Sequence, residues 1–282
     1  MRYGIQELVD NAGNLACKPQ VVSKVENLLL DPMVALNEVA RVISKDQVLA
    51  ARTFKVANSC FFGRMTKAKT LSEAIITIGL KGLYSLVIVH AISQYYKSFG
   101  LKERSFWNHA IGVSIAAMTI ASEDGECRPE DVMVCGLLHD IGKDLMNSVD
   151  PDLYAIVTKK VANDSVPYTT AEQELFGFTH AEVGFLLSQK WNLPADIQTV
   201  VLYHHDLKTV GQEAEGLLNL TSIINLADTM CIRLGMSLQA FNGEFSWEKI
   251  EAVKILEFPV DQLTALEPVI KTRIEEERIM FD

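Results

Sequence analysis

Val134-Cys135-Gly136-Leu137-Leu138-His139-Asp140-Ile141-Gly142-Lys143 ends an apolar run on a histidine and an aspartate. Val134, Gly136, Leu137 and Leu138 set the His139-Asp140 step against a core, where an ionised carboxylate is costly unless something compensates it. The same question arises at Asp228, inside Ile223-Ile224-Asn225-Leu226-Ala227-Asp228-Thr229-Met230. A second apolar run closes on His204-His205-Asp206. A cation compensates a carboxylate directly, and neutral imidazole is the commonest protein nitrogen ligand. Of the six histidines, His90 lies alone in the first part of the chain; His109, His139, His180, His204 and His205 follow residue 102. Five imidazoles and two carboxylates are more than one ion can use. Two ions of about six positions each would take them and leave room for water or phosphate oxygens. Spacing alone leaves a scatter of capping and surface histidines as the alternative. Adjacent helical residues diverge by about 100°, so His204 and His205 share a site only at a helix end.

Outward from this stretch the apolar period is helical throughout. Val21, Val22, Val25, Leu28 and Leu29 form one face, stopped by Asp31-Pro32; Leu36, Val39, Ala40 and Ile43 form the next; Val48, Leu49, Ala51 and Phe54 form a third. Ala74, Ile75, Ile76 and Ile78 give a short helix ended by Gly79, and Leu83 to Tyr96 a nearly all-apolar, central one. The pattern breaks at Lys97-Ser98-Phe99-Gly100, which sets a boundary near residue 102 and two parts, 1–102 and 103–282. Beyond it, helices are predicted over Phe106–Ser122, Pro129–Leu138, Asp152–Val161, Thr170–Leu175, His180–Lys190, Pro194–His205, Glu215–Leu234 and Asp261–Met280, with Gly142 at a break. No strict alternation is long enough to seed a sheet, so the fold class is all-α.

Composition narrows the function. The 26 basic and 36 acidic residues give a net charge of −10, which argues against a nucleic-acid groove. A phosphorylated small molecule remains open if metal ions supply the positive charge. The start of the chain has no secretory apolar stretch, and Leu83 to Ile92 is too short to cross a bilayer, so no membrane association is predicted. Cys17, Cys60, Cys127, Cys135 and Cys231 are odd in number, scattered and without a CxxC pair, which fits a reducing cytoplasm and buried bystander thiols. His90, in Val87-Ile88-Val89-His90-Ala91-Ile92, reads as a helix-packed residue, Asn58 and Ser59 as a cap or turn, and Trp107 as packing near His109.

His109, then Leu137-Leu138-His139-Asp140-Ile141-Gly142-Lys143, then Asp228, in an all-helical context, resembles the HD superfamily of metal-dependent phosphohydrolases. His180, His204 and His205 resemble the further ligands of its binuclear members, notably the HD-GYP branch. Pro19, Leu28-Leu29-Leu30-Asp31-Pro32, Val42-Ile43-Ser44-Lys45-Asp46, Ala57-Asn58-Ser59-Cys60-Phe61-Phe62-Gly63 and Ser72-Glu73-Ala74-Ile75-Ile76-Thr77-Ile78-Gly79 are similar to the opening of the HDOD family, the HD-related output domain of bacterial signalling. The match runs from about residue 15 to about residue 230.

The resemblance implies an HD-type helical bundle (103–282) behind an N-terminal helical HDOD lobe (1–102). It implies two divalent metal ions (Fe, Mn, Ni, Zn or Mg), one held by His109, His139, Asp140 and Asp228. Asp140 would bridge to the second, held by His180, His204 and His205. Paired ions would activate water for attack on phosphorus, with Asp140 and Lys143 as the catalytic residues and Lys143 pairing with a phosphate oxygen. The implied substrates are phosphorylated small molecules or nucleotides, and the implied setting is cytoplasmic signalling below a separate upstream protein. Many HDOD proteins have lost metal ligands, whereas this chain resembles the ligand-complete members. No Gly-Tyr-Pro follows His204-His205, and Ser105 stands where trinuclear relatives carry a Glu, so cyclic di-GMP hydrolysis does not carry over. A non-catalytic output module with structural metals, binding a protein partner or second messenger, is the alternative. A third reading is sensing through a mixed-valence iron pair.

Overall fold

A computed structural model describes residues 4–11, 20–29, 31, 34–62, 67–96, 101–237, 239 and 245–278. Cys17, Pro19, Leu30, Pro32, Gly63, the 97–100 break and Met280 lie outside these residues. The chain is 80% helical and no strand occurs among the described residues, as the apolar periodicity requires. In order the helices are α1 (Ile5–Asp10), α2 (Gln20–Leu29), α3 (Leu36–Ile43), α4 (Gln47–Ala57), α5 (Leu71–Tyr96), α6 (Leu101–Asp124), α7 (Pro129–Leu138) and α8 (Ile141–Val149). They continue as α9 (Pro151–Asp164), α10 (Tyr168–Leu175), α11 (His180–Lys190), α12 (Ala195–Tyr203), α13 (Leu207–Glu213), α14 (Leu218–Arg233), α15 (Glu251–Ile255) and α16 (Val260–Glu277).

Side-chain caps set where several of these helices begin. Asp46 accepts from Val48 N and Leu49 N at the head of α4, Asp150 from Leu153 N at α9, and Asp206 from Thr209 N at α13. Thr179 and Glu182 form a reciprocal capping box at α11. Each such cap contributes about 1 kcal/mol. Gly79 adopts φ 72°, ψ 166°, which interrupts α5 between its short first part and its long apolar second part. That conformation is open to glycine at little cost.

α8 corrects the sequence reading. Gly142 lies inside this helix and not at a break. The amphipathic set Ile141, Leu145 and Met146 is buried and starts a new helix directly after Asp140. α1, α13 and α15 also lie outside the stretches predicted as helix; all three are short. A further correction concerns the apolar stretch at Leu83 to Ile92. Leu71–Ala91 is long and apolar enough to cross a membrane by length and composition, but 72% of that window is buried inside the protein, where it packs against α2, α4 and α7.

One hydrophobic cluster runs from Leu8 to Ile274 and joins all these helices. α1 packs on α11, where Lys190 meets Asp10 at 3.0 Å. Lys81, two residues past the Gly79 break, reaches Asp131 at the head of α7 (2.9 Å) and Asp196 at the head of α12 (2.7 Å). His90 is buried on α5 and contacts the Asp46 carboxylate at 2.8 Å, a helix-packing role as read from the sequence. Asn58 closes α4 and accepts from Ala68 N, and Trp107 is buried. Cys135 and Cys231 are free and buried, Cys127 is free and half-buried, and Cys17 and the Cys60 side chain lie outside what is described.

Candidate metal centre

Six helices deliver the polar cluster. His109 projects from the middle of α6 and Asp228 from α14, which pack on each other. His139 is the C-terminal cap of α7 and Asp140 the residue before α8. His180 is the first residue of α11; His204 caps the end of α12, with His205 next in sequence. Helix ends solve the angular problem posed by His204-His205: the chain leaves the helix there and both rings turn to one place.

Two close crossings fix these positions. A methyl group on Gly136 would lie 2.7 Å from the Ser114 backbone, so α6 and α7 touch main chain to main chain one turn before His139. Ser114 Oγ donates to Met133 O (2.9 Å) across the same contact. On Gly142 an added methyl would lie 1.9 Å from the His180 carbonyl oxygen. The backbones of α8 and α11 therefore meet beside Asp140 and His180, and only glycine permits it.

Asp140 sits at the centre. Its side chain makes no cap bond to α8, although the helix N-terminus favours its charge. Oδ2 faces His139 Nε2 (3.3 Å) and His109 Nε2 (3.7 Å), while Oδ1 faces His180 Nε2 (3.2 Å) and His204 Nε2 (3.7 Å). Asp228 Oδ1 lies 3.0 Å from His109 Nε2. The donor atoms fall into two groups, each within 4.8 Å: His109, His139 and Asp228 in one, Asp140, His180, His204 and His205 in the other. All seven residues named from the sequence thus come together.

The donor set fits divalent cations. His180 Nε2 lies 3.4 Å from His204 Nε2 and 3.2 Å from His205 Nε2. Three ring nitrogens at such spacing need a proton or a cation among them, because lone pairs repel. His139 Nε2 and Asp140 Oδ1 are buried with no aligned hydrogen-bond partner among the described residues, a costly arrangement without a ligand. Backing bonds orient the rings as metal-binding histidines require. Nδ1 of His139 meets Gly136 O (2.7 Å), and Nδ1 of His204 meets Val201 O (2.9 Å). Nδ1 of His180 meets Glu172 Oε2 (2.6 Å).

Charge balance follows from the same contacts. Burial alone would push the Asp140 carboxyl up, but the charges of His139 and Lys143 hold it well below the usual carboxylate range. Asp228 is likewise held low, by its bond to His109 and that residue's charge, against burial. Burial opposes the charged forms of His139 and His180, yet the neighbouring carboxylates, Asp140 for the first and Glu172 for the second, raise both. Burial lowers His204 to about 4. His205 keeps an exposed edge but turns Nε2 into the cluster, and burial of that end, then His204, lowers it.

Lys143 is on the same face as Asp140, as the spacing predicts, but it is buried. Its Nζ lies 2.6 Å from Asp140 Oδ2 and 4.2 Å above the Tyr168 ring. Burial works against its charge, and Asp140 and Asp228 more than offset that. A narrow cleft of about 10 Å³ opens here between Phe106, Tyr168 and Met236, with Ser105 and Ser237 at its sides. That volume is room for about one water.

The sequence reading missed Glu172. This carboxylate is fully buried, accepts the His180 backbone N–H (2.8 Å) as well as contacting Nδ1, and receives the Tyr154 hydroxyl at its other oxygen (2.8 Å). Nothing local distinguishes it from Glu174, two residues on and exposed to solvent.

The HDOD domain family profile matches residues 15–207. An uncharacterized protein of Treponema pallidum (strain Nichols) is 25% identical over 244 residues, 86% of this chain; the chain spans 46% of that relative's length. An HDOD domain protein of unknown function from Geobacter sulfurreducens superposes with a TM-score of 0.75 and 26% identity, over 97% of this chain and 99% of its own. A Shewanella amazonensis SB2B protein, provisionally named a metal-dependent phosphohydrolase, superposes with a TM-score of 0.69 over 99% of this chain and 96% of its own. At 17% identity that likeness shows the shared fold.

Proposed function

The chain belongs to the HDOD domain family, and from that premise we propose that it is a signalling protein with a binuclear metal centre and metal-dependent phosphohydrolase activity on a phosphoester or nucleotide. The observation that carries this reading is the placement of Asp140, with one oxygen toward His109 and His139 and the other toward His180 and His204. His109, His139 and Asp228 would hold one divalent ion, His180, His204 and His205 the other, and Asp140 both. Such a pair supplies an activated water and positive charge for the phosphoryl group.

The chain's own residues supply the rest. Lys143 keeps its proton and stands beside the shared carboxylate, so its ammonium is placed to donate to a phosphate oxygen. Phe106 and Tyr168 wall the approach and limit water at the cluster. The 103–282 part carries this chemistry; the 1–102 lobe presents a face to an upstream signalling protein in the cytoplasm. The net charge of −10 disfavours nucleic acid as a partner.

Metal analysis of protein purified without chelator, followed by a screen of phosphomonoesters and nucleotides with Mn, Fe, Ni, Zn or Mg, tests the reading. Two ions per chain and a turnover abolished by Asp140→Ala are expected. A water-sized cleft favours a second reading, a non-catalytic output module whose metals are structural and which binds a protein partner or second messenger. Stoichiometric metal without turnover on any phosphoester would replace the first reading with the second.

A further inference from the structure

We propose that the two halves of the cluster fill in order, the Asp140–His180–His204–His205 half first, and that Glu172 is the positioning residue that sets this order. The inference rests on the metal-binding reading above and adds to it a sequence of events and a residue.

Two differences between the halves point the same way. First, the backing of the rings is unequal. His180 is held at two atoms by one buried carboxylate oxygen, Glu172 Oε2, at 2.6 Å from Nδ1 and 2.8 Å from its backbone N. These two contacts fix the ring with Nε2 turned inward, toward Asp140, His204 and His205. Tyr154 pins the carboxylate by donating to Oε1 at 2.8 Å. His109 has no such backing: its Nδ1 is buried without a partner among the described residues.

Second, the shared carboxylate is used unequally. Oδ2, on the His109–His139 side, is held by Lys143 Nζ at 2.6 Å, whereas Oδ1, on the His180 side, has no aligned donor. One half has its His180 ring fixed by a buried carboxylate and its Asp140 oxygen clear of the ammonium; the other has an unbacked His109 ring and shares its Asp140 oxygen with Lys143.

The test is a cobalt(II) titration of the full-length, chelator-stripped protein, followed by visible absorption and by bound metal per chain. Wild type is expected to fill in two steps of different affinity and different spectrum. Glu172→Gln weakens the first step about 10- to 100-fold and leaves the second in place. Glu172→Asp recovers part of the loss. Tyr154→Phe, which removes only the hydroxyl, gives a smaller loss of the same step and stands in if Glu172→Gln fails to fold by circular dichroism. His109→Ala removes the second step alone. A single step of two equal sites, or a first step that His109→Ala abolishes and Glu172→Gln spares, overturns the order while leaving the metal reading intact. A wild-type protein that binds no cobalt overturns both.

Discussion

Gly142→Ala isolates the contact that brings Asp140 to His180. The added methyl would sit 1.9 Å from the His180 carbonyl oxygen, 2.7 Å from its carbon and 2.8 Å from Gly184 N. All three are backbone atoms, so no side chain can swing away. Reaching an ordinary 3.4 Å contact requires α8 and α11 to part by about 1.5 Å. Overpacking of this kind costs about 1–3 kcal/mol or more, and a backbone obstruction belongs at the top of that range. Alanine returns about 1 kcal/mol through helix propensity. The net loss is about 2 kcal/mol, or about 4–8 °C in melting temperature for a domain of this size. Metal binding suffers more than stability. Ligand distances tolerate about 0.2 Å, far less than the shift imposed between Asp140 and His180. Gly184→Ala is the comparison: its methyl meets Val201 Cγ1 at 2.8 Å and the Gly142 N at 3.3 Å, a milder obstruction than the 1.9 Å backbone contact at Gly142, so a smaller loss is expected. Thermal melts with and without metal, together with bound metal per chain, make the measurement. A Gly142→Ala protein that melts within about 1 °C of wild type and keeps its full metal content would refute the reasoning.

Lys143→Met removes the cation beside Asp140. Breaking a buried pair costs about 3–5 kcal/mol, so the metal-free protein should melt much lower, and added divalent metal should restore more stability than it adds to wild type; equal shifts in the two proteins count against the pairing. Asp46→Asn keeps an N-cap for α4 but loses the charge facing His90. Burial acts to raise the Asp46 carboxyl, yet bonds from Leu49 N and Val48 N and the His90 contact hold it below its ordinary 3.8, so its stabilisation is present above that value and is lost as pH falls through the lower folded pKa. The urea stability gap between wild type and Asp46→Asn should therefore be widest near neutrality and close in acid, and a gap that widens in acid contradicts the assignment. Burial pushes the thiols of Cys135 and Cys231 well up. Mass-spectrometric mapping should find both unlabelled by alkylating reagents in the folded protein and labelled once it is unfolded.

Much of this architecture was legible in residue order because helical periodicity reports burial. The faces of α2, α3 and α4, the interruption at Gly79 and the apolar run of α5 all follow from where apolar residues recur. The cluster was legible for a related reason: an aspartate placed at the end of an apolar helix calls for a compensating partner. Gly142 shows where local reading fails. A glycine after His139-Asp140 has the local signature of a break, whereas its role is to let two backbones touch, and the touching partner is 38 residues away. Glu172 is illegible for the same reason, since its neighbours in Thr169-Thr170-Ala171-Glu172-Gln173-Glu174 carry no sign of which glutamate is buried. Lys143 was read correctly for its face and incompletely for its burial, which depends on Tyr168 from α10.

Lys81 links the heads of two rods of equal length. Asp131 stands eight residues before His139, and Asp196 eight residues before His204, so each arm is about 12 Å long. The rods run side by side, joined by one ammonium at one end and by ring contact at the other, where the His139 and His204 centroids are 5.1 Å apart. A displacement of α5 at Lys81 would therefore act on both arms at once. The coupling runs through partly exposed ions, so its stiffness falls as ionic strength rises.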